Sequence, residues 1–464
     1  MKNQTSAKFV TGSLLKHVVV MSLTSSVGIM AIFIVDLVDL LFISMLGNAA
    51  LAAAVGYAGI VLFFTNSINM GLSIAAGTLV AKALGAEQKS EAREYASSVM
   101  AIGFLICIII VVATFYFLDP ILTTLGATGE VKALSIDYIS IILPTMPITS
   151  IAFIGMAVLR SHGDAKRSMY ATLAGGVVNA IFDPLLIFTL DFGLEGAAMA
   201  SVLSRLTMIG ITLFLLIKTH NAVALPSLKS ISNHLKPITT ILIPAVLANV
   251  ATPVGSAIVM REMAKYGTDA VAGMAIIGRM TPVAFSVVFA LSGAIGPIVG
   301  QNFGAGKMER VRTAFFDAIK FTIGYIILVS LILFFIRDYI ITLFGATGEA
   351  AALVMLFCGV LSMAFFFNGV IYITNACFNN LGHPIYSTYV NWGKNTLGTL
   401  PFIIIGGSFW GAEGVLLGQA FGGLLFAGVA VWLCLRVMSA GGVESEISDF
   451  EQHQRLHIVQ NRRH

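Results

Sequence analysis

Long apolar stretches alternate with short polar or Gly/Pro-containing breaks along almost the whole chain. Reading the stretches between those breaks predicts helices long enough to cross a bilayer, which takes about 20 residues. The predicted spans are residues 15–46, 52–84, 94–117, 131–157, 168–190, 195–218, 238–264, 270–302, 314–336, 350–376, 385–408 and 412–438. The pattern therefore predicts an all-α polytopic membrane protein with twelve transmembrane helices.

Composition agrees with this prediction and excludes a soluble enzyme. Of 464 residues, 57% are hydrophobic and only 11% are charged, whereas soluble proteins carry roughly 25% charged residues. The net charge of +4 is small and dispersed, so we expect the lipid bilayer and not a nucleic acid as the partner. No nucleophile–base pair or metal-ligand set can be assembled, so we expect no enzyme activity, no cofactor and no resident metal. The four cysteines lack CxxC spacing and are expected to be packing residues.

The basic residues predict the orientation of the chain. If the N-terminus is cytoplasmic, nineteen of the 27 Lys and Arg residues fall in cytoplasmic segments and four in external ones. Positive charge accumulates on the cytoplasmic side of membrane proteins, so we expect both termini there. Lys2, Lys8 and Lys16 precede an apolar run that is too long for a removable signal peptide.

The chain repeats itself at one offset. The string GATGE occurs at Gly126–Glu130 and again at Gly345–Glu349, 219 residues later, and Met70–Arg93 aligns with Phe289–Arg312 at the same offset. Each copy holds six predicted spans, and an even number returns the chain to the starting side. The copies are therefore expected to be parallel bundles related by a pseudo-two-fold axis along the membrane normal.

The repeat sets the predicted domain boundaries. Residues 1–217 form the N-terminal bundle and residues 238–438 the C-terminal bundle. The polar segment 218–237, which contains Pro226 and Pro237, suits a cytoplasmic linker, and residues 439–464 read as a cytoplasmic tail. Two parallel bundles joined in this way are typical of alternating access.

Three carboxylates lie inside predicted spans, where each costs about 2.5–3.5 kcal/mol. Asp36 and Asp39 are three residues apart in the first span, and Asp183 follows Asn179 by four residues in the fifth. Both spacings place the two residues on one helical face. We therefore expect these side chains to face polar groups and not lipid.

Neighbouring residues complete a candidate pocket in the first bundle. Ser201 and Tyr138 could add hydroxyls, and Pro184 predicts a broken helix and a hinge next to Asp183. Carboxylates at low dielectric exchange protons near neutral pH, which favours proton coupling through Asp39, Asp183, Asn179 and Asp36. Carboxylate and amide oxygens of Asp39, Asn179 and Asp183 also suit Na⁺, so sodium coupling stays open.

A structural role is the alternative, in which the aspartates pair with Arg205, Arg279 or Lys394 inside other spans. The duplication argues against it. The positions equivalent to Asp39 and Asp183 fall near 258–259 and 401–402, and neither is acidic. A packing requirement would be shared by both copies, whereas a coupling site need not be.

The order of these features resembles the MATE (multidrug and toxic compound extrusion) family over roughly residues 10–440. The resemblance rests on two parallel six-helix repeats, VDLLFISMLG closing the first span, GATGE after the third and ninth spans, and NAIFDPLLIF in the fifth. It implies an antiporter of the bacterial inner membrane that exports amphiphilic, mostly cationic compounds in exchange for protons or sodium ions. Independently of the resemblance, a monomer is expected.

The resemblance also implies roles for individual residues. Asp39 resembles the family's first-helix acid, Asn179 and Asp183 its fifth-helix pair, and Ser201 a common sixth-helix hydroxyl. The chain departs from the family in having VVVMSLTSSVG where many members place an early first-helix proline. No Asp or Glu lies in the middle of a span of the second bundle, which favours coupling through the first. The nearest rival functions are a sodium-coupled drug antiporter and a flippase for lipid-linked precursors.

Overall fold

The computed structural model describes residues 7–441, whose regular secondary structure is entirely helical. The helices of the first half are α1 (Leu14–Met45), α2 (Ala49–Gly85), α3 (Lys89–Thr124), α4 (Gly129–Ile142), α5 (Met146–Ser161), α6 (Ala165–Pro184) and α7 (Gly193–Leu215). The helices of the second half are α8 (Leu228–Met263), α9 (Thr268–Ala284), α10 (Ser286–Gly304), α11 (Met308–Leu343), α12 (Gly348–Gly359), α13 (Phe365–Asn380), α14 (Pro384–Asn395) and α15 (Leu400–Ser439).

These helices make twelve crossings. Eleven helical stretches of the described chain are long and apolar enough to span a membrane, and the last of them, Pro384–Ser439, has 56 residues. That length suffices for two crossings, and the stretch bends at Trp410 and Gly411, where Gly411 has a φ of 59°. The predicted all-α fold of twelve helices in two bundles is confirmed.

Several crossings contain an interruption of the α-helix. The fourth crossing consists of α4 and α5, joined by a short 3-10 turn that contains Pro144. The fifth crossing passes from α6 at Pro184 into a π-helical turn, Leu185–Thr189. Proline cannot donate to the preceding turn, and non-helical backbone at membrane depth is tolerated where protein or a cavity surrounds it.

The first helix of each bundle reaches across to the other bundle. Helix α1 packs on α10 and α11, and Leu14 and Val18 belong to the hydrophobic core of the second half. Helix α8 packs on α2 and α3, and Ile238 and Leu242 belong to the core of the first half. The first helix of each bundle therefore packs against the other bundle, and these contacts hold the two bundles together.

The two bundles meet closely at the terminal face, by which we mean the end where the described chain starts and stops. A Cβ built on Gly85 would lie 2.1 Å from the carbonyl oxygen of Gln301, and one on Gly304 would lie 2.1 Å from that of Lys82. Real Cβ contacts are never this short. Only glycine at these two equivalent positions permits the backbones of α2 and α10 to touch.

The segment before α1 lies across the same face. Phe9 is 1% exposed, its N–H donates to Gln301 Oε1 at 2.8 Å, and its carbonyl accepts from Arg310 Nη2 at 3.0 Å. Lys8 Nζ donates to the Gly163 carbonyl at 2.6 Å on the first bundle. The segment thus bridges both bundles and closes the terminal face.

Helix boundaries differ from the sequence prediction most clearly at two places in the second half. Helix α8 begins at Leu228, ten residues before the predicted span at 238, because Ser227 caps it by accepting from the Ser230 N–H at 3.1 Å. The predicted span 385–408 is interrupted between Asn395 and Leu400, where Gly398 packs against Phe426. Of the predicted tail, residues from 442 onward lie outside the described residues.

Candidate functional site

Helices α1 and α6 bring two of the predicted carboxylates together inside the first bundle. The side chains of Asp39 and Asp183 lie within hydrogen-bonding reach of each other, and Asp183 is 0% exposed. An ionised carboxylate offers only acceptor oxygens. Contact between two carboxyl groups in such a buried place therefore requires a proton or a cation between them.

Asn179 lies one turn before Asp183 on α6 and is also buried. Its Nδ2 donates to Asp183 Oδ1 at 3.4 Å. Three side-chain oxygens of these residues accept no hydrogen bond although they are buried: Asp39 Oδ1, Asp183 Oδ2 and Asn179 Oδ1. Buried polar atoms are usually satisfied, so these three oxygens are candidate acceptors for a proton or candidate ligands for a hard cation such as Na⁺.

Asp36 lies on the same face of α1, one turn before Asp39, but in different surroundings. Its side chain is exposed, and it interacts electrostatically with both Asp39 and Arg205. Arg205 itself is anchored on other partners, since its Nη1 donates to Thr145 Oγ1 at 2.8 Å and to the Ile142 carbonyl at 3.3 Å. Asp36 thus lies within electrostatic range of both Asp39 and an arginine.

The remaining predicted residues, Tyr138, Ser201 and Pro184, make no hydrogen bond to the pair. Tyr138 is 7% exposed and within electrostatic range of Asp39 and Asp183, but its hydroxyl makes no hydrogen bond to another residue of the described chain. The same holds for the hydroxyl of Ser201 within residues 7–441. Pro184 ends α6 directly after Asp183, and the π-helical turn follows.

Metal-binding clusters of the usual kind are absent from the described part of the chain. Within residues 7–441, no three His, Cys, Asp or Glu side chains gather as metal ligands. A sodium ion would have to be held by the carboxylates of Asp39 and Asp183 together with amide or backbone oxygens.

A row of aromatic rings connects the two bundles near the carboxylates. Phe33 lies one turn before Asp36 on α1, and its ring centroid is 6.1 Å from that of Phe289 on α10. Phe289 in turn contacts Phe365 at 5.7 Å and Tyr372 at 5.8 Å on α13. Sequence reasoning did not identify this row, although the i, i+7 spacing of Phe365 and Tyr372 places both rings on one face of a helix.

The second bundle holds a cation inside one of its spans. Lys394, in the last turn of α14, donates from Nζ to Asn368 Oδ1 on α13. Within residues 7–441 no carboxylate lies within salt-bridge distance of it. Sequence reasoning singled out Lys394 and missed Asn368, which lies between Phe365 and Tyr372 on the aromatic face of α13.

A histidine pair lies outside the membrane-spanning segments, at the terminal face. The rings of His162 and His220 are 4.9 Å apart, and His220 Nε2 is 2.9 Å from Asp164 Oδ2. Burial lowers the pKa of His162 to about 4, with a contribution from His220. Burial alone would raise the pKa of Asp164, but hydrogen bonds from His220 and Arg167 outweigh it and hold this pKa below its ordinary value. His162 is therefore neutral at pH 7.

Comparison with known protein families gives one match that occurs twice. The family model MatE matches residues 24–185 and again residues 244–405. The two matches cover most of both bundles and agree with the internal duplication.

Individual relatives match over most of their length. The chain is 28% identical over 424 residues to a protein of Shewanella oneidensis named FAD transporter, covering 90% of this chain and 93% of the relative. It is 24% identical over 421 residues to the multidrug export protein MepA of Staphylococcus aureus, covering 90% and 92%. Among solved structures, a mutant of the Vibrio cholerae MATE transporter VcmN superimposes with a TM-score of 0.87 at 23% identity, covering 92% and 97% of the two chains. That structure shares the fold.

Proposed function

The chain belongs to the MatE family of transporters, and from this premise we propose that it exports amphiphilic, mostly cationic compounds in exchange for protons. The observation that carries the proposal is the contact between Asp39 and Asp183, with three buried oxygens left without partners. A site of this kind takes up one positive charge, either as a proton or as part of a bound cation.

The geometry supports a mechanism of competition. With a proton between Asp39 and Asp183, the two carboxyl groups stay together and α1 stays against α6. A cationic substrate that approaches Asp36 and the aromatic row makes the ionised state of the carboxylates more favourable and displaces the proton. The two charged carboxylates then repel each other, and the π-helical turn after Pro184 is where α6 can adjust.

The terminal face is closed in this conformation by Gly85, Gly304 and the segment around Phe9. We place both termini in the cytoplasm of a bacterial cell, in which case the protein is closed to the cytoplasm and is ready to release cargo outward. Opening would require the bundles to separate at the two glycines, a rigid-body movement of the kind that alternating access uses. We propose that a single chain carries out this cycle.

Transport by purified protein in liposomes tests the proposal. Ethidium uptake is measured under an imposed proton gradient or an imposed sodium gradient for wild type, Asp39→Asn and Asp338→Asn. Asp338→Asn is the matched control, because Asp338 is an exposed carboxylate of α11. We expect uptake under the proton gradient alone, lost in Asp39→Asn and retained in Asp338→Asn. Uptake under the sodium gradient alone would instead assign the same oxygens to Na⁺, and no uptake under either gradient would leave a flippase as the better function.

A second candidate cargo is a flavin nucleotide. The relative from Shewanella oneidensis that aligns over 90% of this chain is named FAD transporter. Such a cargo is a flat aromatic ring system with negatively charged phosphates. Lys394, a cation without a carboxylate partner in the described chain, is the observation that favours it.

A further inference from the structure

We infer that Lys394 and Asn368 form a subsite for the anionic group of an aromatic substrate, a phosphate or a carboxylate, on the wall of the second bundle. The inference rests on the proposed export function, because it names the chemical class of substrate that the same transporter accepts. It assigns to the second bundle a binding role that differs from the coupling role of the first.

The first argument is the missing counterion. A lysine inside a membrane-spanning segment is expensive and normally pairs with a carboxylate or lines a polar cavity. Lys394 is half-buried. The one hydrogen-bond partner of its ammonium group in the described chain is the neutral amide oxygen of Asn368. An amide oxygen positions the ammonium group but leaves its full positive charge uncompensated, and two of its three donors remain available.

The second argument is where this pair lies. Asn368 follows Phe365 by three residues and precedes Tyr372 by four, so all three share one face of α13. Both rings pack on Phe289, whose ring also contacts Phe33 of the first bundle. The ammonium group is therefore next to an aromatic surface at the junction of the two bundles and not on the lipid side of the second bundle.

The third argument is the backbone around the lysine. Helix α14 ends at Asn395, one residue after Lys394, and the crossing resumes only at Leu400. A lysine in the last turn of a helix can satisfy the free carbonyls there. Lys394 does not do so, because its Nζ donates across to α13, whereas the Thr399 hydroxyl donates to the Lys394 carbonyl at 2.7 Å. The charge is thus directed away from its own helix end.

Polar groups continue from this pair toward the terminal face. Ser387 donates to Asn379 Oδ1 at 3.2 Å, and Asn375 Oδ1 is buried without a partner. Asn375 and Asn379 follow Asn368 by seven and eleven residues on α13, so they extend the same face. An anion with hydroxyl or amide groups beside it would find acceptors here as well as the ammonium donor.

Riboflavin and riboflavin 5′-phosphate form a matched pair of probes, since they share one flat fluorescent ring system and differ by a single phosphate. Binding of each to the purified full-length protein in nanodiscs is measured by fluorescence anisotropy at constant salt. A charge-assisted hydrogen bond typically contributes a tenfold or larger change in affinity. We expect the phosphorylated flavin to bind wild type about tenfold or more tightly than riboflavin.

Variants locate that preference. Lys394→Gln, which keeps a donor for Asn368 but removes the charge, should reduce the ratio of the two affinities to about one, and Lys394→Arg should restore most of it. Asn368→Asp, nearly isosteric with the native residue, should also abolish the preference because it supplies the missing carboxylate. Lys320→Gln, at an exposed lysine of α11 that pairs with Asp317, is the matched control and should leave the ratio unchanged.

Several results would overturn the inference. Equal binding of the two flavins by wild type, failure of both to bind, or an undiminished preference in Lys394→Gln would each contradict it. Equal loss of both flavins in Lys394→Gln would show that the lysine only supports the local fold. Ethidium transport is measured in parallel. Ethidium transport without a preference for the phosphorylated flavin would refute this inference alone. A preference for the phosphorylated flavin without ethidium transport would refute only the proposed cation export.

Discussion

The two bundles share their architecture and differ in the charge that each holds inside the membrane. The fifth span of the first bundle carries Asp183 next to Asn179, whereas the fifth span of the second, α14 with the start of α15, carries Lys394 next to Asn368 of α13. Residues that the fold needs recur in both copies, as with Gly85 and Gly304 at the terminal face. The charged residues in the middle of the predicted spans do not recur, which agrees with the separate roles proposed for the two bundles.

The difference extends to how each charge is satisfied. In the first bundle two carboxyl groups contact each other and need an added positive charge. In the second, an ammonium group contacts a neutral amide and has no carboxylate partner in the described chain. A substrate with separated charges that bound between the two bundles would therefore be oriented by these opposite charges.

Neutralising the carboxyl pair should have the largest effect. Asp39→Asn and Asp183→Asn each remove the shared proton site, and an Asn amide can satisfy the remaining carboxyl group without titrating. We expect proton-driven ethidium uptake to fall to the level of liposomes without protein, while the variants insert and purify normally. Proton-driven uptake close to that of wild type in either variant would remove the coupling role from the first bundle.

The shared glycines should have the next largest effect, and an equal one in both copies. A methyl group at Gly85 or Gly304 would clash with the facing backbone. Such overpacking costs about 1–3 kcal/mol, which would lower the population of the closed state roughly 5- to 150-fold. Gly85→Ala and Gly304→Ala should therefore slow transport about tenfold or more, measured with the same liposome assay. Gly324→Ala is the control, because no atom lies within 4 Å of its added Cβ; a similar loss there would refute the explanation.

Substitution of Arg205, the cation inside a span of the first bundle, tests whether that residue serves stability and not coupling. Its guanidinium donates to Thr145 Oγ1 and to the Ile142 carbonyl, and these charge-assisted bonds are lost in Arg205→Met. We expect the variant to lose about 2 kcal/mol of unfolding free energy, seen as a lower melting temperature in detergent, with Arg205→Lys intermediate. An unchanged melting temperature would show that these bonds do not hold α7 to the α4–α5 junction.

The terminal face should respond to pH through His162, and this effect is expected to be the smallest. Since burial lowers the pKa of His162 to about 4, the folded protein binds fewer protons there than the unfolded chain, whose histidines titrate near 6.5. Stability contributed by neutral His162 is complete above pH 6.5 and declines as the pH falls toward 4. Between pH 6.5 and 5.5 the loss should be about 1 kcal/mol, measured by thermal unfolding, and His162→Gln should lack that part of the pH dependence.

The sequence was sufficient for the fold because the period and length of apolar runs report directly on membrane crossing. It also placed Asn179 one turn from Asp183, as the structure shows, because i, i+4 geometry is local. The contact between Asp39 and Asp183 depends instead on how α1 crosses α6. Similarly, the interruption after Asn395 follows from packing of Gly398 on Phe426, a contact between two crossings that no local pattern encodes.

The parts that sequence reasoning missed are long-range for the same reason. Phe9 bonds to Gln301, 292 residues away, and nothing in the polar N-terminal segment indicates that partner. Asn368 was overlooked because a single amide in an apolar span has no strong signature. Its position between Phe365 and Tyr372 on one helical face was, however, readable.

Proton release on substrate binding tests the central claim most directly. Ethidium is added to purified protein in weakly buffered detergent solution at neutral pH, and a pH-sensitive dye reports released protons for wild type, Asp39→Asn, Asp183→Asn and Asp338→Asn. We predict that wild type and Asp338→Asn release about one proton per bound ethidium, and that the other two variants release none. Binding without proton release in wild type, or undiminished release from Asp39→Asn and Asp183→Asn, would contradict the account.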